Sequence, residues 1–289
     1  MKPFDVLVED GRARGPIVAK LQKVPGVAGV VAPPDWQKGP DSIVEAFPAQ
    51  DSAAKPVRTT IKNVRAALVG TGGTLGGLAA EDRDFVKAVY SNFPYVLAFV
   101  VLLTYILLAR AFRSLILPLK AVVLNLVSLA AAYGIIVFIF QKGHGSNALW
   151  GVHATQSIIP WIPLMIFAFL FGLSMDYEVF MLTRMREAYD EYGNTPEAVS
   201  HGLARTAKLV TSAALILMCA FFAMSTGPGL DIKQFGIGLA AGIIFDATVI
   251  RALLVPALMR LFGRWNWWLP RAPARLLRVE PSEPLPETR

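Results

Sequence analysis

Ionisable side chains interrupt the long apolar runs in the second half of the sequence. Asp176 lies inside one run and is followed directly by Tyr177 and Glu178. Asp246 lies inside another run, and Arg251 comes five residues later. Inserting a charged side chain at the centre of a membrane helix costs roughly 2.5–3.5 kcal/mol of free energy on insertion scales. Such a residue is found where it faces the interior of a helix bundle, forms an ion pair or has a function. These five residues are therefore the candidates for chemistry.

The chemistry that this pattern predicts is proton transfer. Asp176 lies deepest in its run and is the first candidate. Successive helix residues point about 100° apart, so that Asp176, Tyr177 and Glu178 cannot share one face. A carboxyl group in a low-dielectric environment holds its proton more readily than one in water, and can load and release it near neutral pH. A neighbouring Tyr hydroxyl can donate to the carboxylate or pass the proton on.

A purely structural interpretation stays open for each residue. Asp176 could make a buried hydrogen bond or ion pair that only fixes packing, and Tyr177 could be an ordinary packed aromatic. Arg251 could neutralise Asp246. Glu178 lies nearer the end of its run and could be solvated or paired with a base.

Other kinds of chemistry have no support in the sequence. Residues 70–77, GTGGTLGG, lack the Lys-Ser/Thr of a phosphate-binding loop and are expected to form a flexible or tightly turned connection. We find no nucleophile elbow, no His-Glu-x-x-His motif and no paired His/Cys ligands, so we expect no enzyme activity, no cofactor and no metal site. Cys219 is the only cysteine and is expected to be an inert buried thiol.

The apolar runs are expected to be membrane-spanning helices. The chain of 289 residues is 54% hydrophobic and only 17% charged, and the excess apolar content begins near Phe93. Each run is close to the roughly 20 residues that cross the hydrocarbon core. The expected spans are residues 93–109, 115–140, 158–182, 209–226 and 235–262. Small residues at four-residue spacing in the last run favour close helix packing over a substrate site.

Lys and Arg cluster at alternate ends of these runs. Residues 110–114, 184–208 and 263–289 are rich in them, whereas residues 141–157 and 227–234 hold one Lys each. The positive-inside rule therefore predicts that the three basic segments are cytoplasmic and that the N-terminal segment is extracytoplasmic. The net charge of +7 follows this topology, and no basic stripe with interleaved aromatics indicates nucleic-acid binding.

The segments outside the spans have simpler patterns. Residues 1–92 are expected to form a small, partial α+β domain that begins as a βαβ unit. Its expected strands and helices are residues 4–8, 15–23, 27–31, 42–48 and 57–68, with a further helix over 81–92 that leads to the membrane. A short amphipathic helix is expected to begin near Pro196, and the tail, residues 263–289, is expected to be mostly disordered. The start lacks a signal-peptide apolar region, which suggests that upstream sequence is missing.

The third run carries a motif that resembles a known family. Residues 172–180, GLSMDYEVF, resemble the G-L-x-x-D-Y-x-x-F motif of the MMPL family (mycobacterial membrane protein, large) of the resistance–nodulation–division transporter superfamily. Residues 245–259 and the following Asn-Trp-Trp-Leu-Pro, residues 266–270, look like the last transmembrane helix of that family and its exit. The resemblance covers the chain up to about Pro270.

The resemblance implies a fold, a site and partners. MMPL proteins have two similar halves, twelve transmembrane helices and two extracytoplasmic porter domains, so this chain would be the end of the second porter domain plus helices eight to twelve. Asp176 and Tyr177 would be the helix-ten pair of a proton relay that faces a matching pair in helix four. Leu173 and Phe180 are candidates for lining a substrate channel. The first half, with helices one to seven, would have to come from a missing N-terminal part or a partner chain.

Three functional hypotheses follow. The first is proton-driven export of lipids or other hydrophobic molecules across the bacterial inner membrane by a C-terminal part of a transporter. The second is a non-transporting sensor or export accessory protein of the same superfamily, which need not keep the ionisable pair. The third is an inactive structural remnant.

Overall fold

Short strands near the N-terminus form one antiparallel sheet in the computed structural model, which describes residues 3–49 and 55–282. The chain divides into two units, Met1–Pro94 and Tyr95–Arg289. The strands of the first unit are β1 (Phe4–Val8), β2 (Val27–Val31), β3 (Gln37–Lys38), β4 (Asp41–Pro48) and β5 (Gly73–Gly76).

The sheet has the topology of a split βαβ fold. Its strand order is β2-β4-β1-β5, and the two-residue β3 pairs with β4. Helices α1 (Arg14–Leu21) and α2 (Lys55–Leu68) connect β1 to β2 and β4 to β5, which gives a β-α-β-β-α-β circuit. The expected βαβ unit is therefore present, but β4 lies between β1 and β2 and pairs antiparallel with both.

One face of the sheet packs against the two helices. Alternate residues of β1 and β4 are buried, as the two-residue period of a half-buried strand requires. The shared core includes Phe4, Val6, Val44, Ile17, Leu21 and Val64. The helices α1 and α2 thus supply the apolar cover that a small sheet needs to be stable.

The glycine-rich segment, residues 70–77, is not merely a connection. It contains β5, an edge strand that pairs with β1. A Cβ at Gly73 would lie 3.0 Å from Leu68 Cδ2, and one at Gly77 would lie 2.6 Å from Asp5 Oδ2. Gly77 also has a φ of 84°, which favours glycine. The glycines therefore allow the chain to pass close to β1 and the core.

The second unit is built from long helices. Five of them are long and apolar enough to cross a membrane: Arg83–Phe112, Ile116–Gln141, Trp161–Tyr192, Thr195–Met224 and Leu230–Trp267. The expected number of five membrane-spanning helices is thus confirmed, and the helices have different bounds from the expected spans. The helices are α3 (Leu78–Phe112), α4 (Ile116–Ile136), α5 (Ser146–Trp150), α6 (Trp161–Tyr192), α7 (Thr195–Met224), α8 (Leu230–Phe245), α9 (Val255–Phe262) and α10 (Arg271–Leu277).

Two π-helical segments interrupt the spans. Val137–Gln141 extends α4, and Asp246–Leu254 joins α8 to α9. A 3₁₀ turn, Gly263–Trp267, then leads to α10. The last span is thus α8, a nine-residue π-helix and α9 in sequence.

The expected short helix near Pro196 is wrong. Helix α6 continues to Tyr192, only Gly193 and Asn194 intervene, and α7 begins at Thr195 as one helix of 30 residues. Gly193 takes a φ of 65°, which ends α6. Pro196 fits the first turn of α7, because backbone N–H groups in the first turn have no partner within the helix and proline lacks one. Each helix therefore extends well beyond the apolar run by which it was identified.

The glycines of α8 allow close packing, as their spacing predicted. A Cβ at Gly238 would lie 2.4 Å from Ile166 Cδ1, and one at Gly242 would lie 2.7 Å from Leu170 Cδ2. Gly236 faces the backbone of α7, where a Cβ would lie 2.6 Å from the carbonyl oxygen of Phe221. Cys219 in α7 is exposed, so the expectation of a buried thiol is wrong.

The tail is ordered as far as Ser282, so the expected disorder from residue 263 is wrong over that range. The Trp267 side chain is fully buried, stacks on Tyr189 with ring centroids 4.3 Å apart, and donates from Nε1 to Thr195 Oγ1 at 3.1 Å. The backbones of Leu269 and Ser282 pair in an antiparallel bridge. Residues 283–289 of the predicted tail lie outside the described residues.

Candidate functional site

The π-helix in the last span places Asp246 and Arg251 side by side. Five residues along an α-helix amount to about 500°, which would leave the two side chains about 140° apart. In this segment, backbone bonds run between residues five apart, as from the Val255 N–H to the Ile250 carbonyl. The π-helical geometry therefore brings Asp246 and Arg251 into direct contact, whereas an α-helix with the same spacing would keep them apart.

Asp246 and Arg251 form a buried ion pair. Arg251 Nε and Nη2 each lie 2.7 Å from Asp246 Oδ2, and the two residues are only 5% and 6% exposed. Ser174 of α6 completes the cluster. Its hydroxyl donates to Asp246 Oδ1 at 2.9 Å, and its carbonyl oxygen accepts from Arg251 Nη2 at 2.5 Å. The cluster links α6 to the last span, and Arg251 makes with Asp246 the ion pair that the structural interpretation allowed.

Tyr177 borders this cluster. The Arg251 guanidinium lies 5.2 Å from the centroid of the Tyr177 ring, within the range of a cation–π contact. Tyr177 also lines a narrow cleft together with Leu173, Ser174, Asp246 and Arg251. Leu173 thus lies beside ionisable residues, and its lining of a substrate channel stays a prediction. Phe180 does not line this cleft, and its ring packs instead against Arg184, with the guanidinium carbon 5.5 Å from the centroid.

Asp176 and Glu178 lie on opposite sides of α6. Asp176 is exposed, and it points away from the face that packs against α4, α7 and α8. Glu178, in contrast, is only 4% exposed and is therefore buried in the bundle. This separation follows from the 100° step between residues, which gives Ser174 and Glu178 one face and Asp176 another. The structure thus joins Tyr177, Asp246 and Arg251, and keeps Asp176 apart from them.

Sequence reasoning missed Ser174 and underestimated Lys120. The signal for Ser174 was its position four residues before Glu178, which puts a small polar group on the buried face. Lys120, near the start of the second apolar run, was not among the candidates. Its Nζ donates to Asn266 Oδ1 and lies 3.2 Å from Met259 Sδ.

The described part of the chain offers no metal site. No three His, Cys, Asp or Glu side chains within it come together in a way that could hold an ion. The cluster itself offers one carboxylate, one guanidinium and the hydroxyl groups of Ser174 and Tyr177, which can exchange protons and hydrogen bonds.

Comparison with known proteins finds one matching family model and several similar proteins. The MMPL family model matches residues 44–281. The mycolic acid-containing lipids exporter MmpL11 of Mycolicibacterium smegmatis is 36% identical over 274 residues, and the heme uptake protein MmpL11 of Mycobacterium tuberculosis is 37% identical over 273. Both alignments cover 93% of this chain. The trehalose monomycolate exporter MmpL3 of Mycolicibacterium smegmatis is 37% identical over 197 residues, 68% of this chain.

The chain is much shorter than these relatives. The alignments span 28% of each MmpL11 protein and 19% of the MmpL3 protein. The family match nevertheless covers both the β-strand unit from β4 onward and all five candidate spans. With five membrane-spanning helices, a buried ionisable cluster and this match over most of its length, the chain belongs to the MMPL family of transporters.

Proposed function

We propose that this chain is the C-terminal part of a transporter that exports lipids or other hydrophobic molecules across the bacterial inner membrane, driven by the proton-motive force. Two relatives are named as lipid exporters and another as a heme uptake protein, which supports a hydrophobic cargo. Because the chain spans at most 28% of these relatives, the rest of the transporter has to come from further polypeptide that carries helices one to seven.

The observation that carries this proposal is the exposed carboxylate of Asp176. It lies midway along a candidate span, on the face of α6 that the other described helices leave uncovered. A charge facing lipid at that depth is costly, so this face needs a protein partner. The missing half of the transporter supplies that partner, and it brings the matching Asp-Tyr pair against Asp176 and Tyr177.

In this mechanism, Asp176 is the site that loads and unloads the proton. One charge that crosses 100 mV of membrane potential releases about 2.3 kcal/mol, so a coupled cycle needs a group that binds a proton on one side and gives it up on the other. A carboxyl group does this and an amide cannot. Tyr177 follows Asp176 in sequence and its ring lies 5.2 Å from the Arg251 guanidinium, so in the assembled transporter its hydroxyl is available to a carboxylate of the relay while its ring stays beside Arg251.

The orientation follows from the basic segments. The turn at residues 110–114, the junction of α6 and α7 and the folded tail lie on the cytoplasmic side, and the β-strand unit lies outside. Contacts between these three segments support their placement at the same end of the helix bundle. The Ser114 hydroxyl donates to the Asn266 carbonyl oxygen at 2.5 Å, and Trp267 donates to Thr195.

Export by the assembled transporter tests the relay. The chain is co-reconstituted with the polypeptide that completes it, and export is compared at equal protein levels. Asp176→Asn keeps size and hydrogen bonding but removes titration, and should abolish proton-coupled export. Glu187→Gln is the matched control, because Glu187 is an exposed carboxylate further along α6 that pairs with Arg184. Normal export by Asp176→Asn would refute the relay role of Asp176 and leave Asp246 as the next candidate, whereas no export by the wild-type assembly would favour the sensor and remnant hypotheses.

A further inference from the structure

A second ionisable pair lies on the far side of α6 from Asp176. Lys120 of α4 and Glu178 of α6 line one small cavity whose other walls are apolar. Those walls include Leu117, Ala121, Leu124, Leu182, Val255 and Met259. The free space fits about one water molecule, which is the size at which a polar cavity holds water.

The Glu178 carboxylate is buried without a direct partner. Among the residues that the structure describes, no hydrogen bond or ion pair reaches it, although the residue is only 4% exposed. The charged groups that act on it are Arg251 and Asp246 of the last span and Lys120 of α4. A carboxyl group that deep costs free energy unless something hydrogen-bonds it. A water molecule in the cavity would supply that bond.

Lys120 connects the cavity to the basic end of the bundle. It lies in the second turn of α4 and is half-buried. Its amino group donates to Asn266 of the tail, and Asn266 in turn accepts the Ser114 hydroxyl through its carbonyl oxygen. A pair that served only packing would be in contact, as Asp246 and Arg251 are. Lys120 and Glu178 line the same cavity and, among the described residues, make no ion pair with each other, which leaves room for a third group.

We propose that Glu178, a cavity water and Lys120 form the port through which protons pass between the Ser174–Asp246–Arg251 cluster and the basic end of the bundle. The inference rests on the proton-driven function proposed above. Glu178 takes up a proton on one carboxylate oxygen and later gives it to the cavity water, which passes one of its own protons to water at the bundle end. Only O–H bonds form and break in these steps.

The first test reads protonation directly, without export. Infrared difference spectra of the chain in lipid are recorded after a pH step, for the wild type, Glu178→Gln and the exposed control Glu187→Gln. We expect a titrating carboxyl band that is lost in Glu178→Gln, retained in Glu187→Gln and altered in Lys120→Gln. A wild-type spectrum that Glu178→Gln leaves unchanged would overturn the port, since Glu178 would then not exchange protons.

The second test separates the port from the proposed function. In the co-reconstituted transporter, Glu178→Gln should lower proton-coupled export roughly a hundredfold, the scale of a positioned proton-transfer group, and Glu178→Asp should restore part of it. Loss of export in Asp176→Asn with wild-type export in Glu178→Gln would overturn the port and leave the relay intact. Wild-type export in Asp176→Asn would refute the relay, and the infrared band would then decide the port alone.

Discussion

At the scale of single residues, the buried pair of Asp246 and Arg251 dominates the interior of the last span. Arg251 reaches both Asp246 and Ser174, yet its Nη1 has no hydrogen-bond partner in the described part of the chain. The pair is neutral as a whole, but either charge alone would be stranded in a low-dielectric interior. Its two members are therefore more strongly coupled than their separate contacts suggest.

We expect that removing one member destabilises the bundle more than removing both. Asp246→Asn leaves the Arg251 charge buried and should lower the free energy of unfolding by about 3–5 kcal/mol. Adding Arg251→Met should return most of this loss. Thermal unfolding in detergent of Asp246→Asn, Arg251→Met, the double variant and the wild type measures these losses. Additive losses in the double variant would show that the two side chains do not act as a pair.

Tyr177 offers a separate test of the relay. Tyr177→Phe keeps the ring beside Arg251 and removes only the hydroxyl, so export should fall less than with Asp176→Asn. Tyr177→Leu also removes the ring, and should lower both export and thermal stability. Export assays with matched membrane levels distinguish the two variants. Equal export in Tyr177→Phe and Tyr177→Leu would assign the effect to the hydroxyl alone.

At the scale of elements, the tail after α9 acts as a clasp on the end of the bundle. Asn266 donates to the carbonyl oxygens of Met259 and Gly263 at 2.6 Å each, which fixes the turn. The Trp268 carbonyl oxygen then accepts from the Leu115 N–H at 3.1 Å, at the start of α4. Trp267 fills the space beside Tyr189 of α6. The tail thus ties together the ends of α4, α6, α7 and α9.

Truncating Trp267 should release this clasp. Trp267→Ala should destabilise the tail by about 3–5 kcal/mol, the range for large buried aromatics. Trp265→Ala is the matched control, because the Trp265 side chain is 48% exposed and its truncation removes less buried packing. Limited trypsin digestion should then cleave after Arg271 or Arg275 sooner in Trp267→Ala than in Trp265→Ala. Equal digestion rates would contradict the clasp.

At the scale of the whole molecule, the sequence predicts the spans better than their ends. The length of the apolar runs is enough to identify five membrane helices, and the 100° step is enough to separate Asp176 from Glu178. Neither the π-helix nor the order of the tail could be predicted. No residue type specifies a π-helix, and the contacts of Trp267 and Asn266 involve partners such as Thr195 and Ser114, which lie 72 and 152 residues away.

The orientation of the whole chain is testable by labelling. In a Cys219→Ser background, single cysteines replace Asn147 and Ser200, both of which are exposed. A membrane-impermeant thiol reagent applied to intact cells should label position 147 and leave position 200 unlabelled until the cells are permeabilised. The opposite pattern would invert the predicted topology. Asn147 is chosen because the neighbouring Ser146 is buried and a cysteine there would not react.

The π-helix also has a consequence for insertions and deletions. A π-helical segment carries more residues than an α-helix that joins the same two ends. Losing one residue between Asp246 and Arg251 would therefore convert a widened turn to an α-helical one and keep α8 and α9 in phase. The Asp and Arg would then be four residues apart, which is a favourable α-helical spacing for an ion pair. This stretch is thus a place inside a membrane helix where the chain can change in length and keep its charge pair.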